Sequence, residues 1–442
     1  MKIGMFLQDQ TLCVQSMNKT FYEILSFANQ NKLDLLVFPE HAYCPEDEKL
    51  DDLAFLSYDD GCDYETIADI YLNYAKIAGC PIIFSRCDKY DFIYAIYVSP
   101  FNGEIKWYGK HIATYNSSFD LSDYEECMEY IFSPIEYKGY KIGITVCYDV
   151  TKPLFSRSYG DVDILLNLTG GHVDYKKWSI YQRARALENR CNHLCTMAYF
   201  NRQLRNKSYV FGFDGFGKKL NYTIINNNKY TGNDLKNGLY VFDIDKKHRD
   251  FIKFKINKAE EDEFLNTKPS INKNISVEFS PEEIVGLLNH KNKIYEDIYI
   301  LSLEDENIII IDLPEYKIED PINVEKLMYH EKLNEYKNKK YLILNRWNEL
   351  DLDYYSKRLS TILKARAAEN FCIVMLVSPQ KNECIQVGLN KNVQIVQCKN
   401  GTYGLDLKRA SGPESFWKNN YNIGIKAKWR NKYKLLISRL LY

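Results

Sequence analysis

Residues Tyr137 to Pro153 read YKGYKIGITVCYDVTKP. Five β-favouring residues, Ile142 to Val146, run up to Cys147, after which the chain turns polar. That pattern predicts a buried strand with the cysteine at its end, where a side chain can face a cleft. A free cysteine is most often an inert packing residue. The position at a strand's end is what makes this one a candidate nucleophile.

Two upstream stretches have the same form. In DLLVFPEHAY, Leu35 to Phe38 has the pattern of a buried strand, and Pro39, which has no N–H to give a ladder, stops it with Glu40 at the tip. In GEIKWYGKHIA a more polar strand leads to Lys110. The order along the chain is therefore Glu40, Lys110, Cys147, each at the end of an apolar run.

All three segments, PE-H, GKH and CYD, resemble the signature segments of the carbon–nitrogen hydrolase (nitrilase) superfamily. The resemblance spans roughly the first 260 residues. It implies a nitrilase-like α/β fold of the α+β type, a four-layer α-β-β-α sandwich, and an amidase-type Glu-Lys-Cys triad: Cys147 as nucleophile, Glu40 as base, Lys110 stabilising the oxyanion. The backbone N–H of Tyr148 would be a second oxyanion donor. The family's loop before the nucleophile strand commonly carries a further glutamate at the pocket, for which Glu126 and Glu129 are both candidates; solvated loop carboxylates are the alternative. His172, after the glycine pair Gly170-Gly171, is a candidate pocket residue or a structural histidine. Family members usually have an acidic residue where this chain has Leu154.

The chemistry sets requirements of its own. A cysteine is mostly protonated at neutral pH, so a neighbouring base must take its proton as it attacks an amide carbon. The sequence reading expects partial burial to raise the Glu40 pKa toward that of the thiol. The reaction implied is hydrolysis of an amide or carbamoyl C–N bond in a small molecule through a Cys147 thioester. No metal or organic cofactor is required. CYD rather than CWE after the strand favours amides over nitriles within the resembled family. Amide or acyl transfer through the same thioester, and a non-enzymatic binding or scaffold role, are the alternatives.

Length and charge narrow the possibilities. At 442 residues the chain exceeds what one hydrophobic core usually serves, so two units are expected. With 58 basic and 59 acidic residues there is no bulk electrostatic case for a nucleic-acid or membrane partner. The opening MKIGMFLQDQ turns polar within ten residues, and no stretch is long and apolar enough to span a bilayer, so a soluble, cytoplasmic protein is expected. Its 12 cysteines then read as free thiols, and Cys191 and Cys195, without a second pair, as packing residues rather than metal ligands.

In chain order the periodicity predicts a strand over Lys2–Gln8, a helix over Thr20–Asn29, a strand over Leu33–Phe38, a helix over Tyr64–Ala78 and a strand over Pro81–Ser85. A hairpin over Phe92–Tyr108 follows, turning at Ser99–Gly103. After Cys147 come a short helix to Tyr159, a strand over Asp163–Leu168 and a helix over Trp178–Cys191 with Ile180, Ala184, Leu187 and Cys191 on one face. On that helix Arg183, Arg185 and Glu188 read as scaffold or subunit-contact residues rather than catalysts. Strands over Leu194–Tyr199 and Gly238–Asp245 complete the first domain.

Composition becomes charged and turn-rich from Lys246, which divides the chain into a catalytic domain (1–260), a connector (261–289) and a remainder (290–442). The remainder echoes the first part in order. DILLN at 163–167 returns as YLILN at 341–345, RARALEN at 183–189 as KARAAEN at 364–370, and GLYVFDID at 238–245 as GTYGLDLK at 401–408. Where the repeat should offer a cysteine, NIIIIDLPEY puts Asp312 to Pro314, and the sequence shows no counterpart of Glu40 or Lys110 there. The remainder reads as a truncated, non-catalytic half-sandwich repeat. Leu363, Ala367 and Asn370 have the spacing of an interface helix, so the repeat is expected to pack intramolecularly on the catalytic domain; an independent, loosely tethered module with its own binding task is the alternative, and a homodimer is possible.

Overall fold

The computed structural model describes residues 1–10, 12–46, 67–87, 93–110, 133–151, 155–156, 159–170, 173, 175–199, 210–225 and 238–250, and in the later part 291–295, 298–302, 308–313, 340–346, 361–362, 364–365, 373–378, 383–387 and 393–397. Glu126, Glu129, Leu154, His172 and the connector fall outside these residues, as does most of the 364–370 segment on which the packing expectation rests. The chain divides into two compact units, Met1–Lys253 and Phe254–Tyr442.

The first unit is a mixed α/β structure built on strand β1 (Lys2–Asp9). Its residues from Ile3 to Leu7 are buried on both faces, which marks a central strand covered on each side. One edge of β1 pairs in parallel with β2 (Leu35–Val37), and the order continues through β3 (Ile82–Cys87), β4 (Ile93–Val98) and β5 (Ile105–Gly109). The other edge pairs with β12 (Gly238–Asp243), itself paired with β11 (Tyr222–Ile225). At its far end β1 leaves β12: Gln8 and Asp9 pair with Ala198 and Tyr199 of β9 (Asn192–Tyr199). Through β9 the sheet runs on to β8 (Ile164–Gly170), β7 (Tyr140–Val146) and β6 (Ile135–Tyr137), while β10 (Phe211–Phe213) lies on β9's other edge.

The sheet therefore curls at β1 into two halves that meet face to face. Gly212 of β10 shows how tightly: a Cβ there would come within 2.4 Å of the Phe242 ring on β12. Only glycine tolerates that approach. Helices cover the outer faces, α1 (Val14–Gln30) and α2 (Ile67–Ala78) on the first half and α3 (Tyr175–Asn189) on the second. This is the helix–sheet–sheet–helix layering that the resemblance implies.

Strand directions decide where the site forms. β2 is parallel to β1; β3 is parallel to β2, β4 reverses and β5 reverses again, so β5 ends at the same edge as β2. β9, β8 and β7 are parallel to β1 in turn. The C-terminal ends of β2, β5 and β7, carrying Glu40, Lys110 and Cys147, thus open on one side of the fold. Residues 37 to 107 apart in sequence converge because two sheet halves share one strand.

An aromatic cluster fixes the β2 end. Phe21 of α1 packs on Phe38 (centroids 5.3 Å) and on Tyr74 of α2 (4.8 Å), and Tyr71 stacks on Phe84 at 3.5 Å. Phe38 N–H still donates to the Ile83 carbonyl, but Pro39 has no N–H and the ladder stops, which sets Glu40 free to turn inward.

The observed elements shift from the expected ones in two instructive places. Helix α1 begins at Val14 rather than near Thr20, because among its residues before Thr20 only Met17 is buried and no apolar periodicity announces it. The turn after Cys147 is a 3-10 turn, Cys147–Thr151, rather than the start of a regular helix.

The second unit holds a seven-stranded sheet: β13 (Lys291–Tyr295), β14 (Ile298–Ser302), β15 (Ile308–Leu313), β16 (Lys340–Arg346), β17 (Ile373–Ser378), β18 (Glu383–Val387) and β19 (Val393–Gln397), in that spatial order. Its directions from β14 to β18 run antiparallel, parallel, parallel, antiparallel. The β6-β7-β8-β9-β10 half of the first unit has the same sequence of directions.

Phe21→Ala removes the ring that ties α1 to α2 and to Phe38. The expected loss is about 3–5 kcal/mol in the first unit's unfolding transition, read by urea denaturation. A loss under about 1 kcal/mol, the level of an ordinary surface substitution, would show that the cluster does not anchor the β2 end.

Candidate active site

Three buried side chains meet at the shared edge. Lys110 Nζ donates to Glu40 Oε1 at 2.7 Å, with the two side chains 1 and 2 % exposed. The Cys147 thiol donates to the Gly170 carbonyl at 3.6 Å. Gly170 ends β8, and a Cβ there would come within 3.0 Å of Glu40 Oε2 and 2.9 Å of His41 Cδ2. A glycine is what lets the carboxylate sit against this strand.

The backbone is turned sharply at two of these positions. Cys147 has φ 46° and His41 φ 55°, the left-handed region that costs a non-glycine residue about 1–3 kcal/mol and persists only where the surroundings over-determine it. At His41 the surroundings are two glutamines and an arginine. Gln8 and Gln10 both donate to the His41 carbonyl, at 2.9 and 2.6 Å, and Arg86 donates to the Ala42 carbonyl at 2.7 Å. At Cys147 the buried Asp149 accepts from the Val146 N–H at 3.3 Å, and Tyr159 donates to the Ile144 carbonyl at 2.6 Å.

Electrostatics fix the protons. Burial pushes the Glu40 carboxyl up, but the Lys110 charge and hydrogen bond outweigh it, so Glu40 titrates below the ordinary carboxylate value. Burial also holds the neighbouring His41 imidazole down, hence neutral near pH 7, which leaves Lys110 as the cation that matters to Glu40. Burial pulls Lys110 toward neutrality; the Glu40 charge and hydrogen bond more than offset it, and the ammonium titrates above its ordinary value. The Cys147 thiol is pushed well above its ordinary value, by burial first and by the Glu40 charge second. The resting site is thus a carboxylate, an ammonium and a neutral thiol.

One expectation fails here. Glu40 was expected to be raised toward the thiol. Burial does act in that direction, but an ammonium at 2.7 Å reverses the net effect.

Of the other residues singled out in the sequence, Tyr148 occupies the second position of the 3-10 turn, half-buried, its carbonyl accepting from Thr151 Oγ1 at 2.8 Å. Arg185 and Glu188 form a buried ion pair at 3.0 Å on α3, and Arg183 Nε donates to the Gly217 carbonyl at 2.8 Å. Cys191 and Cys195 are buried thiols pushed up by burial, Cys195 to about 12. Among the described residues no group of three His, Cys, Asp or Glu side chains is arranged to hold a metal ion, and no helix is long and apolar enough to cross a membrane. The supporting residues Gln8, Gln10, Arg86 and Asn167 carry no motif, whereas Asp149 closes the CYD segment. The one available signal was buried polar residues inside apolar strand patterns, as in QDQ and LLNLT.

No family model matches the chain, and no curated protein is similar to it. Solved structures are. The chain is similar to the NitN amidase of Nesterenkonia sp. AN1, at 18 % identity over 59 % of this chain and 99 % of that one, TM-score 0.38. It is similar to a carbon–nitrogen hydrolase of Helicobacter pylori G27, at 16 % identity over 61 and 99 %, TM-score 0.42. A CN-hydrolase superfamily protein of Xanthomonas campestris with an arsenic adduct in its active site matches at 18 % identity over 62 and 98 %, TM-score 0.40.

The buried pair makes a stability prediction with a definite sign. Glu40 titrates below its unfolded value, so its contribution is present above about pH 4.3 and is lost as pH falls through the folded value. Lys110→Met leaves the carboxylate buried without its cation, at a cost of about 3–5 kcal/mol near neutral pH. The Glu40 pKa then rises, and the deficit relative to wild type shrinks as pH falls and the acid protonates. Urea denaturation at about pH 8 and about pH 5 measures both deficits. Equal deficits would mean that Glu40 carries no buried charge.

Proposed function

We propose that the first unit cleaves the C–N bond of a small amide or carbamoyl compound through a thioester on Cys147. The observation that carries this reading is the convergence of a buried carboxylate, ammonium and thiol on one edge, with Lys110 donating to Glu40 and Gly170 packed against Glu40 while its carbonyl accepts from the Cys147 thiol.

In the resting site the proton belongs on sulfur, so attack and proton transfer are coupled. As Sγ bonds to the amide carbon, the thiol proton passes to Glu40 and the carbonyl π pair becomes an oxyanion. Lys110 and the Tyr148 N–H stabilise that charge, one such donor being worth about 3 kcal/mol. The oxyanion draws Lys110 away from Glu40, and a carboxylate with less of its cation is the stronger base. Collapse breaks C–N, with Glu40 returning the proton to the departing amine. A water then loses its proton to Glu40 as it bonds to the thioester carbon. C–S breaks, the sulfur recovers a proton from Glu40, and a carboxylic acid leaves.

The second unit, on the same reading, is a non-catalytic partial repeat of the β6–β10 half. The β15–β16 register pairs Leu313 with Asn345, as β7–β8 pairs Thr145 with Asn167. Two residues beyond Thr145 is Cys147; two beyond Leu313 the sequence has Glu315.

A panel of small primary amides and carbamoyl compounds, assayed for ammonia release, tests the proposal. Cys147→Ala should reduce turnover to background while leaving the unfolding transition in place, since a thiol-to-methyl change leaves only a small cavity. Residual activity above about a tenth of wild type would exceed what loss of a nucleophile permits and would sink the assignment. Glu40→Gln should also stop turnover. A thioester seen by intact mass in that variant would confine Glu40 to the second half of the reaction.

A further inference from the structure

The Cys147 carbonyl, which its left-handed turn directs away from the β-ladder, accepts a hydrogen bond from Asn167 Nδ2 at 3.1 Å. The same nitrogen lies 3.1 Å from Thr145 Oγ1 and 3.3 Å from the Thr145 carbonyl. On its other side Asn167 Oδ1 accepts from Gln182 Nε2 at 2.8 Å and from Thr169 Oγ1 at 2.7 Å. All of these side chains are fully or almost fully buried.

Proton directions in this network follow from groups that have no choice. The Cys147 and Thr145 carbonyls can only accept, so the Asn167 NH2 faces them and its Oδ1 faces Thr169. Thr169 Oγ1 donates to that oxygen and accepts from the Trp178 indole, which can only donate, at 3.2 Å. The Asn167 oxygen then faces Thr169 and Gln182, and the amide NH2 faces Cys147 and Thr145. The Thr145 hydroxyl, which donates to the Leu166 carbonyl at 3.1 Å, is free to accept there. The whole chain from α3 to the nucleophile runs one way.

Gln182 shows what the arrangement requires. Its Oε1 is buried with no hydrogen-bond partner among the described residues, an unfavourable state that a leucine would avoid. Its nitrogen is spent on Asn167.

We propose that Asn167, braced by Gln182, is the positioning residue of the nucleophile, its amide N–H holding the Cys147 carbonyl so that the turn aims Sγ at Glu40. The inference rests on the catalytic reading above. Asn167 acts through Cys147 alone and touches neither Glu40 nor substrate. The identity of the group at this position matters in a particular way. An ionised carboxylate has no proton for the Cys147 carbonyl and repels it; the protonated acid offers one O–H toward Cys147 and keeps an oxygen for Gln182.

The test is the rate at which iodoacetamide alkylates Cys147 in the full chain, followed by peptide mass spectrometry. At about pH 8, Asn167→Asp should slow labelling by about tenfold or more, the loss of one buried hydrogen bond. Near pH 6 the gap should close to within about threefold, because a buried acid protonates well above its ordinary pKa. Gln182→Leu, which removes a buried unpaired oxygen, should fold as wild type does and slow labelling about threefold at both pH values. A role in stability alone would loosen the site at pH 8 and speed labelling of the buried thiol rather than slow it. Equal rates for wild type and Asn167→Asp at both pH values, with superimposable near-UV circular dichroism, overturn the positioning role alone. If Asn167→Asp does not fold, unchanged labelling of Gln182→Leu overturns it. A wild-type Cys147 that labels no faster than buried Cys195 overturns the catalytic reading and this inference together.

Discussion

The desolvated ion pair between Glu40 and Lys110 is the constraint to which the first unit's other features answer. Taking two charges out of water costs several kcal/mol per ion, and the attraction between them offsets that only at good geometry. Good geometry here means two strand ends, β2 and β5, brought to 2.7 Å by a sheet whose intervening strands reverse twice. The clamps on the His41 turn serve the same end, since any drift of that turn would leave a carboxylate buried and unpaired. The pair also determines where the reactive proton rests. With Lys110 holding Glu40 ionised, the thiol beside it stays neutral, and a neutral thiol is a poor nucleophile. On the proposed mechanism, activation arrives with the substrate, whose developing oxyanion competes with Glu40 for Lys110.

Cys147 is held by backbone rather than by packing. A left-handed non-glycine turn is unfavourable in isolation, and Cys147 is held in one from two directions: Asp149 takes the Val146 N–H and Asn167 takes the Cys147 carbonyl. Helix α3 is the outer support of this arrangement. Its Trp178 and Gln182, one turn apart, both reach β8, so the helix orders the polar layer beneath the site as well as covering a sheet.

That double task explains what the sequence made legible and what it did not. Glu40, Lys110 and Cys147 stand out because each ends a short apolar run, and strand ends follow from local pattern alone. The strands and helices of the first unit follow from their alternation in the sequence, while their four-layer arrangement came from the family resemblance. Helix α3 misleads. Its pattern suggests one apolar face through Ile180, Ala184, Leu187 and Cys191, yet Ile180 is half-buried, Cys191 lies beyond the helix, and Tyr181, Gln182, Arg185 and Glu188 are buried too. A helix buried nearly all round, with its polar groups paired inside, has no amphipathic signature. The direction of the Glu40 shift was illegible for a related reason: burial and pairing act oppositely, and only a distance decides between them.

The second unit bears on the same point. Its sheet repeats the direction pattern of β6 to β10, and YLILN lies on β16 where ILLN lies on β8. The first unit's site draws on both sheet halves: Glu40 and Lys110 come from β2 and β5 on one side of β1, and Cys147 from β7 on the other. A copy of the β6–β10 half alone carries no strand equivalent to β2 or β5. Even a cysteine in place of Glu315 would then meet no buried carboxylate and ammonium within its own sheet. On the proposed reading the loss of the nucleophile in the repeat is a consequence of its truncation, because selection has nothing to retain at that position once the partners that would activate a thiol are gone.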